Sequence, residues 1–333
     1  MASRHPSANP ITDKPTQGAT LQRVLLFLIL LVEFVPMTPG KAQLPGVNLG
    51  ATSFLDGMPP PGGPGVYLEE YFQYYYSTRL LNGDGNQIAL PTSRGTFETP
   101  RVQNWIWLNQ VFYQSNQQIL PWGGRWGLSL TLPVVAIDIS PDDFIGFQAK
   151  TFSLGDLFFG PFIQWDPIIG KHGPIFAHRL ELDAVFPTGS YDSLKQVNAA
   201  SNLYSFNPYW AGTLFLHPRW NVSWRLHYLW NSRNPDTDVQ PGQAIHLNFA
   251  TSFEIIQSRM HLGANGYWLQ QITDSNIDGV DIPNSREGVI GIGPGALYAF
   301  SRKDVVFFNT YWEVRARNRT EGVRINLRWI HKF

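Results

Sequence analysis

The sequence predicts an all-β fold, and three observations lead to that prediction. Apolar and polar residues alternate with a period of two along many segments, which is the pattern of a strand with one apolar and one polar face. The 30 glycines and 25 prolines indicate many turns. Only 15% of the residues are charged while 14% are aromatic, which is unusual for a soluble domain. No sustained helical period follows the first 42 residues.

Composition also excludes several classes of function. The 25 basic residues are balanced by 25 acidic ones, whereas a nucleic-acid-binding protein carries a basic excess or a basic stripe. The chain has no cysteine, which rules out disulfides, cysteine-ligated metals and thiol catalysis. No cofactor, metal site or nucleic-acid partner is therefore expected.

The first 42 residues predict an export signal rather than part of the fold. A polar leader with more basic than acidic residues runs to Arg23, and the apolar stretch Val24–Val35 follows. A membrane-spanning helix needs about 20 apolar residues, so this stretch is too short. Small residues at Gly40 and Ala42 favour cleavage of a signal peptide before Gln43. An uncleaved N-terminal anchor is the alternative, and either one exports the chain.

Alternation is clearest in the last strand, where Ile325, Leu327 and Trp329 share one face and Arg324 and Arg328 share the other. Phe333 falls on the apolar face, as is typical of outer-membrane barrels. Counting such segments predicts twelve strands. They span residues 65–81, 101–113, 126–137, 152–165, 175–187, 207–217, 220–232, 243–256, 260–273, 287–300, 304–316 and 321–333.

The connections between these strands alternate between short turns and long loops over most of the chain. An even strand number with this alternation is typical of an antiparallel transmembrane β-barrel of the bacterial outer-membrane type. Such a sheet must close, because unpaired backbone groups in hydrocarbon cost several kcal/mol each. The alternative is a secreted β-sandwich or jelly roll, whose apolar faces point inward. Aromatic residues near the strand ends favour the barrel.

The N-terminal part of the mature chain carries a family resemblance. Val47–Gly57 precedes a Pro/Gly-rich run, Pro59–Gly65, and then come the aromatic strand Tyr67–Tyr76 and the turn Asn82–Asn86. This order resembles a family of proteobacterial outer-membrane proteins named for the meta-cleavage pathway of phenol degradation. The likeness extends over nearly all of the mature chain, including Gly123–Gly127. It implies a transporter or channel for hydrophobic, often aromatic, compounds.

Two motifs superficially suggest ligand sites. Gly291–Ala296 resembles a dinucleotide-binding loop, but a strand follows it instead of the required helix, so a glycine-bearing strand is favoured. Asp274–Gly279 matches the start of a calcium loop, but Ser285 stands where the bidentate acid belongs, so a solvated turn is favoured over calcium. There is no Gly-x-Ser-x-Gly elbow and no His-Glu-x-x-His pair. The eight histidines are scattered, which leaves a membrane-embedded hydrolase or acyltransferase as an alternative function.

The polar strand faces are expected to line the lumen, either as a salt-bridged wall or as a constriction that selects solutes. The candidate lining residues are Arg179, Glu181, Asp183, Arg225, His227, Glu254, Glu313, Arg315, Arg324 and Arg328. The predicted barrel, residues 65–333, follows a Gly/Pro-rich segment, residues 43–64.

The Gly/Pro-rich segment carries more apolar residues than a solvated tail needs, among them Phe54 and Leu55. It is a candidate plug, with Asp56 paired to Arg324 or Arg328, although a disordered periplasmic tail is an equal alternative.

The function predicted from these patterns is a passive outer-membrane channel or uptake protein for small hydrophobic or aromatic compounds, without covalent chemistry. Its expected partners are outer-membrane lipids, the solutes and the barrel-assembly machinery. A structural or adhesive barrel without transport is a further alternative.

Overall fold

A computed structural model describes residues 44–119 and 123–333; the predicted signal peptide lies outside them. In the described part of the chain, twelve strands form one antiparallel sheet. Nine are unbroken: β1 (Gly65–Leu80), β2 (Arg101–Ile119), β3 (Gly124–Ser140), β7 (Trp220–Asn231), β8 (Ala244–Ile256), β9 (Met260–Gln271), β10 (Gly288–Ala299), β11 (Asp304–Arg317) and β12 (Thr320–Lys332). Three are segmented: β4 (Phe152–Leu154, Leu157–Trp165, Ile168–Gly170), β5 (Gly173–Glu181, Ala184–Phe186) and β6 (Ser205–Phe206, Tyr209–His217).

The sheet closes on itself. Each strand pairs with its neighbours in sequence, and β1 pairs with β12 through a register that sets Tyr71 opposite Arg328. No edge is left along this ring, as a structure surrounded by hydrocarbon requires. The prediction of a closed barrel of about twelve strands is confirmed, and most strand bounds agree within a few residues. Two of the breaks in β4 and β6 fall at Pro167 and Pro208, because proline cannot donate to a ladder.

The two faces of the sheet are the reverse of those in a soluble sandwich. On β12, Ile325 and Leu327 point outward and are 37% and 42% exposed, whereas the inward Asn326 is 1% exposed. Outward aromatic residues such as Trp105, Trp107 and Trp312 are likewise exposed. A barrel in a bilayer presents such an apolar band to the lipid. The sandwich alternative is therefore excluded by the side on which the apolar residues lie.

The long loops lie at one end of the barrel, together with the two-residue connection between β11 and β12, and short turns lie at the other end. The long loops fold back on the outer ends of β2 and β3, where Phe144 packs with Val102, Val135, Ile137 and Ile139. By the usual arrangement of these barrels, the long loops are external and the short turns are periplasmic. Among the residues that the structure describes, no helix is long and apolar enough to cross a membrane.

Both motifs that suggested ligand sites have structural roles. Gly291–Ala296 lies within β10 and pairs with β9 and β11. In the external loop, Asp274 accepts hydrogen bonds from Arg286, and the chain then forms a short hairpin between Asn276–Ile277 and Val280–Asp281.

The chain preceding β1, residues 44–64, lies inside the barrel. Its residues contact inward side chains of several strands, among them Asn248 on β8 and Tyr311 on β11. We call this stretch the N-terminal segment. The wall accommodates it where β10 lacks side chains, since a Cβ on Gly295 would lie 3.0 Å from the ring of Phe54.

A side chain at position 295 is expected to disturb this fit. We expect Gly295→Leu to destabilise the protein by about 1–3 kcal/mol, the usual cost of overpacking a filled interior. Besides Phe54, the added Cβ would meet amide oxygens of Asn265 and Asn309 at 2.1 and 2.4 Å. Urea unfolding in lipid vesicles measures the change. Ala296→Leu, on the outward face of the same strand, is the control, and equal stability of the two variants would contradict the prediction.

Candidate functional site

The N-terminal segment is held at the external end of the lumen. The backbone N–H of Leu44 donates to Glu287, 2.7 Å away, in the loop before β10. Arg319 lies 3.7 Å from the same carboxylate. Burial raises the pKa of Glu287, while Arg319 and the Leu44 N–H oppose that shift. Leu44 and Leu49 pack with the outer ends of several strands, so this anchor is both polar and apolar.

At mid-height the segment is held by side chains of β8, β11 and β12. Gly50 donates its N–H to the side chain of Asn248 at 2.8 Å, and its carbonyl accepts from Tyr311 at 2.8 Å and from Asn326. Gly50 has a φ of +74°, and a Cβ there would lie 2.6 Å from the Tyr311 ring. Only glycine fits this position, for both backbone and steric reasons.

The lower half of the segment carries its one buried ion pair. Asp56 accepts two hydrogen bonds from Arg225 on β7, at 2.7 and 2.8 Å. Neither partner of Asp56 expected from the sequence, Arg324 or Arg328, is used; both lie on β12 and bind other carboxylates. Gly57 continues the contact by donating to Thr213 on β6.

The segment leaves the lumen at the periplasmic end beside the closing strand. Lys332 donates from its ammonium group to the carbonyl of Gly62, and the hydroxyl of Tyr67 donates to the carbonyl of Gly63. The segment therefore spans the height of the barrel and is bonded to the wall at each level.

The wall charges form pairs among themselves. Glu69 on β1 binds Arg328 at 3.0 Å, Glu181 binds Arg179, and Glu313 lies 3.9 Å from Arg324. The guanidinium groups also lie over aromatic rings, which supplies a cation–π contact. These rings are Phe162 for Arg179, Tyr209 for Arg225, Tyr75 for Arg324 and Phe307 for Arg328.

Most of the candidate lining residues lie on inward faces of the barrel. Those on inward faces are Arg179, Glu181, Asp183, Arg225, His227, Glu313, Arg324 and Arg328. His227 stacks on His246 of β8, with ring centroids 4.0 Å apart. Among the described residues, groups of three or more side chains able to hold a metal ion are absent.

Two of the candidates do not line the lumen. Arg315 is exposed, because a positive φ of 58° and a register shift between β10 and β11 reverse the alternation there and turn Ala316 inward. Glu254 lies at the periplasmic rim, where its carboxylate accepts from the N–H of Ser258 in the following turn. Strict alternation fails at Arg315 because a bulge shifts the phase, whereas Glu254 keeps the inward phase but lies at the end of its strand.

The sequence did not single out several residues that hold the lumen together. Asn248 and Glu69 are the main ones, with Tyr75 and Tyr267, whose hydroxyls both donate to Glu313. In β1 the aromatic run hides the alternation, since Tyr74 and Tyr76 lie on the outward face and Tyr71 and Tyr75 on the inward one. The charged Glu69 within that run was the signal that could have identified the inward face of β1, since it shares a face with Tyr71 and Tyr75.

The closed twelve-strand sheet and its filled lumen define a β-barrel of the outer-membrane type. The chain belongs to the family described as "Putative MetA-pathway of phenol degradation", which matches residues 78–329. Its fold is similar to that of an outer-membrane channel from Pseudomonas putida F1, with a TM-score of 0.69 at 15% identity over 86% of this chain and 100% of that one.

A weaker likeness, with a TM-score of 0.45 and 11% identity over 81% of this chain and 100% of the other, is to the beta domain of the Bordetella autotransporter BrkA. No curated protein matches the chain.

Proposed function

We propose that the protein is a passive outer-membrane channel for small, uncharged hydrophobic or aromatic solutes, and that it does no covalent chemistry. The observation that carries this proposal is the pairing of the lumen charges. The inward arginines on β5, β7 and β12 already bind carboxylates and lie on aromatic rings. A charged solute would have to compete with these partners, whereas an uncharged solute would not.

The N-terminal segment supports the same proposal as a plug. It occupies the lumen from Leu44 to Gly62 and would obstruct the water-filled pore through which ions and sugars cross open barrels. The family to which the chain belongs and the fold similarity to an outer-membrane channel agree with a transport role. Outer-membrane lipids and the barrel-assembly machinery are the partners that such a protein requires.

Uptake by whole cells tests the proposal. Cells of a bacterial strain lacking its own porins are given labelled toluene, with and without the protein, and the initial rates of uptake are compared. We expect faster uptake of toluene and little change for benzoate, its charged relative. An unchanged toluene rate, with the barrel correctly assembled, would favour a structural barrel instead, and release of a chemically altered product would favour the membrane-embedded enzyme.

A further inference from the structure

The lumen is filled unevenly around its circumference. Inward side chains of β6 to β12 are almost completely buried, in part against the N-terminal segment. Examples with no exposed surface are Thr213, Asn221, His246, Tyr267, Asn309 and Tyr311. Because the segment bonds to these strands, the lumen on their side is closed.

The opposite wall differs. On β2, β3 and β4 a group of inward side chains at mid-height remains partly exposed, and we call it the exposed strip. Its members are Ile106, Leu108, Gln110, Thr131 and Phe158. They are contiguous, since Gln110 pairs with Thr131 and Thr131 pairs with Phe158 across neighbouring strands. The surface inside the barrel that is left uncovered therefore lies along these three strands.

The chemistry of the exposed strip is that of an uncharged hydrophobic surface. It has no charged member, and its amide, Gln110, is already engaged by Ser129 and by the hydroxyl of Tyr71. At its outer end Ile106 packs against the apolar cluster that the external loops form over β2 and β3. A solute reaching the strip from outside thus meets no charged group on it, and apolar side chains make up most of its surface.

A single polar group adjoins the outer end of the strip. Asn104 is the next inward residue of β2 and is partly exposed, while its amide oxygen is buried and has no hydrogen-bond partner among the described residues. The exposed part of this side chain can donate an N–H to the hydroxyl group of a solute.

We propose that solutes cross the barrel along the exposed strip and then past Phe112 and Phe162, whose buried rings close its inner end, while the N-terminal segment stays in place. This inference rests on the proposed function and assigns its path. The strip fits a small uncharged hydrophobic molecule, and Asn104 fits one hydroxyl substituent on that molecule. The segment acts as the second wall of the passage rather than as a gate, because it is bonded to the barrel at its outer end, middle and inner end.

A bulky side chain on the strip tests the path. In the uptake assay, Leu108→Trp is expected to lower the initial toluene rate at least about fivefold, because it narrows the constriction through which the solute passes. The matched control is Leu130→Trp, on the lipid-facing side of β3, which should leave the rate unchanged. Thr131→Trp repeats the test if Leu108→Trp fails to assemble. Uptake by an assembled strip variant at the parental rate would overturn the path.

Fixing the segment tests whether it moves. The chain has no cysteine, so the double variant Thr52→Cys with Asn248→Cys contains one pair of thiols. In the parent protein these two side chains are in contact, because the amide nitrogen of Asn248 donates to the hydroxyl of Thr52 at 3.1 Å. Bridging them by oxidation or with a short bifunctional reagent, checked by electrophoretic mobility, is expected to leave toluene uptake as fast as in the reduced variant. Loss of uptake on bridging, restored by reduction where a disulfide was formed, would overturn the proposal in favour of a displaced gate.

The role of Asn104 has its own readout. Asn104→Leu is expected to slow uptake of cresol severalfold relative to toluene, and an unchanged ratio would remove the hydroxyl preference.

If the parent protein accelerates neither solute, the proposed function itself fails. If the parent accelerates toluene uptake and the strip variants do so equally, only the path assigned here fails.

Discussion

Deletion of residues 43–60 is expected to raise the single-channel conductance in planar bilayers severalfold. Twelve strands enclose a lumen wider than the one that side chains fill in an eight-stranded barrel, and the N-terminal segment occupies much of it. Once it is removed, inward polar groups such as Asn248 and Tyr311 lose their partners on the segment and bind water instead. Ions would then cross a hydrated pore.

The control for this deletion is a change that shortens an external loop without reaching the lumen, for example removal of Asp236–Asp238. That variant should conduct like the parent. Heat-modifiable electrophoretic mobility shows whether each barrel has assembled. An assembled deletion variant with parental conductance would mean that the segment does not obstruct the pore, and the plug proposal would be withdrawn.

Arg225→Ala is expected to destabilise the protein by about 3 kcal/mol. Removal of one partner from a buried ion pair costs about 3–5 kcal/mol, because the remaining charge stays buried. The side chains of Arg225 and Asp56 are 12% and 3% exposed, so the pair is well shielded. Single-channel recordings of the same variant should show more frequent current fluctuations as the N-terminal segment loosens.

Removing Asp56 as well tests whether its unpaired buried charge causes the loss of stability in Arg225→Ala. The double variant Arg225→Ala with Asp56→Ala is expected to be more stable than Arg225→Ala alone, because no buried carboxylate is left without a partner. Arg286→Ala is the matched control, since it breaks an exposed pair with Asp274 and should cost about 1 kcal/mol or less. Equal unfolding free energies for the control and for Arg225→Ala would contradict the prediction.

The sequence by itself determined the barrel, its strands and the direction of their faces. A strand places successive side chains on opposite sides, so the alternation of Ile325, Asn326 and Leu327 is enough to separate an outer from an inner face. The alternation of loop lengths then indicated which end of most strands carries a long external loop and which carries a short turn. The same local rule placed most of the lumen arginines, and the apolar residues before β1 made the N-terminal segment a candidate plug.

Only the tertiary structure decided which residues meet across the lumen. Asp56 pairs with Arg225 rather than with an arginine on β12, because the path of the segment, and not its sequence, brings it to β7. Arg315 leaves the lumen because a bulge, which no alternation pattern reveals, shifts the phase of β11. The exposed strip around Leu108 likewise depends on where the N-terminal segment packs. Contacts between distant parts of the chain are set by the closed barrel and not by local periodicity.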